Sequence, residues 1–171
     1  MDSVMISTRL EDFKNNLWRY HFVIPKSEVS SIIADNHKRI RYRIKGQNIW
    51  VSAALMAKGD ECFFINVNQD RRKQFQLEEG TMVDLEIIQD QSKYGIDIAE
   101  EFEAFLDVDD VFKRYFDQLT PGKQRSLIHL ASKPKRSETR IHKSLKIVDY
   151  LKLNEGKLDF KALHESFKEK N

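Results

Sequence analysis

The sequence predicts an α+β protein in which a small β-barrel precedes a module of three to four helices. Alternating apolar and polar residues dominate before residue 95, whereas apolar residues spaced three and four apart dominate after it. The chain has 171 residues, of which 40% are hydrophobic and 11% aromatic, so it can bury one large core or two small ones. We therefore expect two domains, at residues 5–95 and 100–171.

The first half contains the same strand, short helix and strand pattern twice. The predicted strands are 17–24, 39–44, 49–55, 62–67 and 82–88. A shift of 43 positions superposes six pairs of apolar residues, among them Phe22 on Ile65. We interpret this as an internal duplication, and two such halves, with a hairpin between them, can close a barrel within one chain.

The second half predicts helices with recognisable ends. Thr120 is expected to cap a helix that has Pro121 at its first position and runs to about residue 132. Ser137 is expected to cap the next helix, and its apolar spacing predicts a face that includes Ile141, Leu145 and Val148, with the stem of Lys152 at its end. A last helix is expected from about residue 159.

Charge is distributed unevenly although the formal net charge is only +2. Residues 1–99 are neutral, 100–121 carry −5, 122–146 carry +7, and 147–171 are neutral again. A local excess of this kind favours association with an anionic partner. The segment 122–146 is therefore the leading candidate for a binding surface.

Seven basic residues make up the predicted anion- or nucleic-acid-binding site. They are Lys123, Arg125, Lys133, Lys135, Arg136, Arg140 and Lys143. On two consecutive helices these side chains can converge on a polyanion, either nucleic acid or an acidic protein surface. The other interpretation is an ordinary solvated helix face that is partly paired with the acidic segment 100–121.

A second candidate site is a pocket in the barrel. Trp18, Tyr20 and Trp50 could line it, with Arg41 or Arg43 nearby, and hold a small ligand or serve an enzyme. The alternative is that these aromatic residues simply fill the barrel.

No motif predicts catalysis, and we expect no metal or cofactor. The five histidines fall at no ligand spacing, and residues 121–123 (PGK) lack the upstream glycine and following Ser or Thr of a phosphate loop. A single cysteine, Cys62, excludes an internal disulfide, and no apolar stretch suffices to span a bilayer. With no signal peptide expected either, the predicted location is cytoplasmic, and a monomer is plausible.

The two halves resemble known bacterial families. Residues 65–72 (INVNQDRR) and 77–85 (LEEGTMVDL) resemble the strand, short helix, glycine turn and strand of AbrB-like barrels. With LWRY and VIP ahead of them, residues 9–90 are similar to a bacterial family of unknown function, which implies a double-split β-barrel. AbrB-like regulators bind DNA as dimers with shared barrels, and a duplicated single chain departs from that pattern.

Residues 119–126 (LTPGKQRS) and 133–140 (KPKRSETR) resemble the YdeI/OmpD-associated family, a likeness that covers about 100–152. That resemblance implies bacteriocin protection and association with an outer-membrane porin, and no established chemistry. Together these observations predict a non-enzymatic, stress-related protein that binds an anionic partner.

Overall fold

The computed structural model describes residues 2–14, 19–33 and 38–168. The chain divides into two compact units, Met1–Gln91 and Ser92–Asn171, and each unit has a hydrophobic core of its own. The order of strands before helices that defines an α+β protein is confirmed.

The first unit is built on one antiparallel sheet with two short helices. Its described elements are β1 (Ser3–Asp12), β2 (Tyr20–Pro25), α1 (Lys26–Val29), β3 (Arg39–Ile44), β4 (Val51–Ala54), β5 (Met56–Gly59), β6 (Cys62–Asn66), α2 (Gln69–Gln74) and β7 (Met82–Gln89). The strand order is β4-β3-β7-β1-β2-β6-β5. Asn68 caps α2 with a side-chain oxygen that accepts a hydrogen bond from the Arg71 N–H at 2.9 Å.

The sheet is curled into a half-barrel, and the curl brings one end of each edge strand together. β4 and β5 lie at opposite ends of the strand order, yet only Leu55 separates them in the chain. Consecutive Cα atoms are about 3.8 Å apart, so the two edges must meet at this residue. Leu55 is 2% exposed and closes the core at that point.

The strand registers have the symmetry that an internal duplication produces. Phe22 pairs with Ile65 between β2 and β6, and Arg43 pairs with Glu86 between β3 and β7. The partners in both pairs are 43 positions apart, which is the shift that superposes the two halves in sequence. A two-fold axis that relates the two halves therefore passes through both pairs.

The strand β1 is not among the predicted strands, and it extends the repeated unit. Its first part pairs with β7, and its last three residues pair with β2. β4 and β5 together are the counterpart of β1 in the other half. β4 pairs with β3 as the first part of β1 pairs with β7, and β5 pairs with β6 as the last part of β1 pairs with β2. Ile6 therefore corresponds to Val51, and Leu10 corresponds to Leu55. All four side chains are buried. The predicted strand 49–55 is shorter in the structure, where β4 covers Val51–Ala54, and the separate strand β5 was not predicted.

The second unit contains five described helices rather than three or four. They are α3 (Glu100–Val108), α4 (Asp110–Asp117), α5 (Pro121–Ser132), α6 (Ser137–Leu153) and α7 (Phe160–Ser166). Asp109 separates α3 from α4 because its backbone is extended and its carboxylate accepts the Phe112 N–H at 2.9 Å. The aromatic rings of Phe102, Phe112 and Phe116 pack at centroid distances of 5.6 to 5.9 Å in the core. Among the described helices, none has the length and apolarity that crossing a membrane requires.

Candidate functional site: the basic helical hairpin

Two helices and a short connection carry the predicted basic site. α5 and α6 pack together and are joined by residues 133–136, which we term the basic connection. Thr120 caps α5 as expected, since its hydroxyl accepts the Lys123 N–H at 3.4 Å. The expected cap of α6 is wrong: Arg136 occupies the cap position, and Ser137 is the first helical residue, with its hydroxyl 2.6 Å from Glu101 Oε1.

The candidate basic residues fall into separate groups. Lys123 and Arg125 lie in the first turn of α5, whereas Lys133, Lys135 and Arg136 belong to the basic connection. Lys123 and Lys133 are ten positions apart, which corresponds to about 15 Å of helix. The three cations of the basic connection are exposed, and among the described residues no carboxylate forms an ion pair with them.

Arg140 is engaged inside the unit. Its Nε and Nη2 each donate to a carboxylate oxygen of Glu101 at 2.8 Å, which makes a two-point ion pair. Its Nη1 donates to the backbone carbonyls of Pro134 at 3.1 Å and Lys135 at 2.8 Å. The arginine thus connects the first turn of α3 to the backbone of the basic connection.

The bonds to Glu101 also determine its ionisation. Hydrogen bonds from Arg140 and then from Ser137 lower the pKa of the Glu101 carboxyl to about 2. At the other end of α3, Lys152 Nζ lies 2.7 Å from Asp109 Oδ2 and lowers the pKa of that carboxyl. The first contact joins the first turns of α3 and α6, and the second joins their C-terminal ends. The two helices therefore run side by side in the same direction. Arg140 and Lys152, outside the basic connection, supply the cations that face α3.

The buried face of α6 differs from the predicted one. Ser144, Ile147 and Leu151 are completely buried, whereas Ile141 and Leu145 are 46% and 44% exposed. Val148, the third residue of the predicted face, is 3% exposed, so part of that face is buried. The predicted set 141, 145 and 148 and the buried set 144, 147 and 151 are both spaced three and four apart, so periodicity alone does not choose between them, and the polar side chain of Ser144 favoured the wrong set.

Lys143 lies at the border of the buried face of α6. Its side chain is half-buried, and its Nζ lies 5.8 Å from the centroid of the Phe167 ring. The site therefore has exposed cations at two places, and Arg140 and Lys143 have contacts inside the unit.

A surface depression of about 450 Å³ lies beside this hairpin. Its walls include Ala99, Glu101, Ser132 and Arg140. The Ala99 N–H donates to Ser132 Oγ at 2.9 Å, which ties the start of α3 to the end of α5. The lining also includes the carboxylates of Asp97 and Glu100, so with Glu101 paired to Arg140 this depression is acidic and does not offer an anion a free cation.

The structure brings Arg43 and Trp50 of the predicted barrel pocket together, but on the outer face of the sheet rather than inside the barrel. Tyr42 is 1% exposed in the core, so its neighbours in β3 lie on the opposite face. The Arg43 guanidinium lies 4.8 Å from the Trp50 ring centroid and pairs with Glu86 at 2.6 Å. Arg41 Nε donates to Ser52 Oγ at 3.4 Å.

Tyr20 lies elsewhere, with its ring beneath the Arg72 guanidinium at 3.8 Å and near Arg19 at 5.2 Å. Trp18 falls outside the described residues. Tyr20 is therefore not brought together with Arg43 and Trp50, and a ligand in the barrel stays a prediction.

A buried polar cluster in the first unit was not anticipated. His21 is 1% exposed, its ring stacks on Phe13 at 3.6 Å, and Lys58 Nζ lies 3.2 Å from its Nε2. Lys58 also pairs with Glu11 at 3.0 Å. Burial lowers the pKa of His21, which favours the neutral ring. No group of three or more His, Cys, Asp or Glu in the described part of the chain could hold a metal ion.

Family comparisons agree with the layout predicted from the sequence. Residues 96–154 match the family model described as bacteriocin-protection, YdeI or OmpD-associated. Residues 7–87 match a domain of unknown function, DUF1905. No curated protein is similar enough to match this chain. The chain is therefore similar to a DUF1905 domain over residues 7–87 and to a bacteriocin-protection, YdeI or OmpD-associated domain over residues 96–154.

Proposed function

We propose that this protein is a bacterial, cytoplasmic, non-enzymatic binding protein of the YdeI/OmpD-associated type. Its basic hairpin binds an anionic partner, either nucleic acid or an acidic protein surface. The family description, bacteriocin protection, fits a protein that acts by binding rather than by chemistry.

The observation that carries this proposal is the exposure of the basic connection. Lys133, Lys135 and Arg136 have no ion-pair partner among the described residues, although the same unit contains the acidic helices α3 and α4. Within the acidic segment, Glu101 and Asp109 are paired instead with Arg140 and Lys152. Three unpaired cations in four residues leave a local positive potential available to a polyanion.

Retention on a heparin column and binding to a short DNA duplex test the proposal. We expect both to weaken as salt rises, because counterions are released when cations neutralise phosphates. The double variant Lys135→Ala and Arg136→Ala should elute at lower salt. Its DNA binding should also depend less steeply on salt, with a slope smaller by roughly 0.9 for each phosphate that is no longer neutralised.

The matched control removes the same charge elsewhere in the same unit. Lys157 and Lys161 are exposed, and Lys157→Ala with Lys161→Ala should leave DNA binding close to that of the unaltered protein. A poly-glutamate titration distinguishes an acidic protein partner from nucleic acid. If the wild-type protein shows no salt-dependent binding to any of these polyanions, the proposal is wrong.

We further propose that the first unit is a double-split β-barrel of the AbrB-like type. The supporting observations are the meeting of the sheet edges at Leu55 and the two pairings that share an offset of 43 positions. A long β1 that pairs with strands on both sides of the curl also fits this arrangement. An experimental structure in which β1 does not pair with both β7 and β2, or in which Arg43 is not paired with Glu86, would refute it.

A further inference from the structure

The side chain of Arg140 has little capacity left for an external ligand. A guanidinium has five N–H donors, and the three nitrogens of Arg140 make four hydrogen bonds within the unit. Its charge lies directly against Glu101, whose carboxylate balances it. An anion approaching this residue would meet a neutral pair rather than a free cation.

Two of these four bonds hold the backbone of the basic connection. The carbonyls of Pro134 and Lys135 both accept hydrogen bonds from Nη1, so two successive peptide groups are fixed on one guanidinium nitrogen. Glu101 secures the end of the connection as well, because it accepts the hydroxyl of Ser137. Arg140 and Glu101 therefore constrain the segment that carries the exposed cations.

We propose that Arg140 is a positioning residue, which holds the basic connection in its binding conformation while Lys133, Lys135 and Arg136 contact the anion. This inference rests on the proposed function and divides the basic cluster into residues that bind and a residue that orders them. A segment that is ordered before binding loses less conformational freedom on binding. Removing the constraint should therefore weaken binding while every side chain that touches the anion stays in place.

Limited trypsin digestion of the full chain tests the constraint without any ligand. Trypsin can cleave after Lys135 and Arg136, whereas Pro134 protects the bond after Lys133. In Arg140→Lys the charge stays, but one ammonium cannot reproduce the planar two-point pair and both carbonyl bonds. We expect cleavage in the basic connection to accelerate roughly tenfold, the change that about 1.4 kcal/mol of lost local stability gives.

The matched control is Arg114→Lys, the same exchange at an exposed position of α4. Neither exchange creates or destroys a trypsin site, and the control should be cleaved at the wild-type rate. Equal cleavage of Arg140→Lys and wild type in the basic connection would overturn the inference.

Salt titration of DNA binding separates positioning from direct contact. Glu101→Gln combined with Arg140→Gln keeps the net charge and removes the ion pair. We expect roughly threefold to tenfold weaker binding, the scale of ordering costs, with an unchanged slope of log K against log salt. A slope less steep by about 0.9 would mean that Arg140 itself contacts a phosphate, and the inference would fail.

Arg140→Lys provides a second check that keeps the fold closer to wild type. If Arg140 were a simple charge contact, the lysine would preserve affinity, whereas positioning predicts a loss similar to that of the double variant. Absence of salt-dependent binding by the wild type to heparin, DNA and poly-glutamate alike would refute the proposed function, while the digestion rates would still decide whether Arg140 holds the connection.

Discussion

A buried hydroxyl on α6 gives a prediction whose sign is unusual for a core substitution. Ser144 is 0% exposed, and no hydrogen-bond partner for its Oγ is found among the described residues. It faces the same core as Ile147 and Leu151. We expect Ser144→Ala to stabilise the second unit, because the change removes an unsatisfied polar atom from an apolar environment.

The expected gain follows from three contributions. An unsatisfied buried polar group costs about 1–3 kcal/mol, and alanine is a better helix former than serine by up to about 0.5 kcal/mol. The small cavity left by one atom offsets these by about a few tenths of a kcal/mol. The free energy of unfolding should therefore rise by about 1–3 kcal/mol.

Urea unfolding measures this change with a signal specific to each unit. Circular dichroism at 222 nm follows chiefly the helices of the second unit, whereas the fluorescence of Trp18 and Trp50 arises in the first. With a denaturant dependence of about 2 kcal/mol per M, the helical transition should move upward by roughly 0.5–1.5 M. The tryptophan signal provides an internal reference.

A second serine supplies the matched control. Ser132 Oγ accepts the Ala99 N–H at 2.9 Å, so Ser132→Ala should lower the free energy of unfolding by about 1 kcal/mol. The reasoning is refuted if Ser144→Ala destabilises the helical transition by as much as Ser132→Ala does, since the Ser144 hydroxyl would then be satisfied.

Two further predictions concern single positions in either unit. Gly156 has φ +81°, and an added Cβ would lie 2.8 Å from Tyr115 Cδ1, so Gly156→Ala should cost about 1–3 kcal/mol in the helical transition. Gly122→Ala, where a Cβ meets nothing within 4 Å, is its control and should cost nothing measurable. The pKa of His21 is lower in the folded protein than in the unfolded chain. The contribution of neutral His21 to the free energy of unfolding is therefore complete above about pH 6.5 and is lost as the pH falls through the folded pKa. Urea midpoints from tryptophan fluorescence should therefore be lower at about pH 5.5 than at about pH 7.5. The decrease should be smaller in His21→Phe, where Lys58 keeps its pair with Glu11. Equal decreases in the two proteins would contradict this assignment.

Local patterns predicted most elements of the fold. The alternation of Arg39–Ile44 and the Thr120 and Pro121 start of α5 depend on neighbouring residues only, and both agree with the structure. The strand β1 was missed, although Ile6, Thr8 and Leu10 alternate as a half-buried strand should. Its partners lie in β7 and β2, and strand pairing over such distances leaves no local signal.

The candidate site was predicted in its location but not in its division of roles. Sequence placed the excess positive charge in residues 122–146, since counting charges needs no coordinates. The pairing of Arg140 with Glu101 joins residues 39 positions apart on two helices, which no local spacing reveals. Periodicity also selected Ile141 and Leu145 for the buried face, whereas the packing of α3 and α5 buries Ser144 and its neighbours.

By itself, the sequence determined the α+β order, the duplicated pattern, the family layout and the basic segment, because each depends on composition or on short-range periodicity. Tertiary structure alone decided which cations remain unpaired and which are used to hold the chain. The physical reason is that an ion pair or a buried face depends on what packs opposite it. For Arg140 that partner is Glu101, on a helix that begins 37 positions earlier than its own.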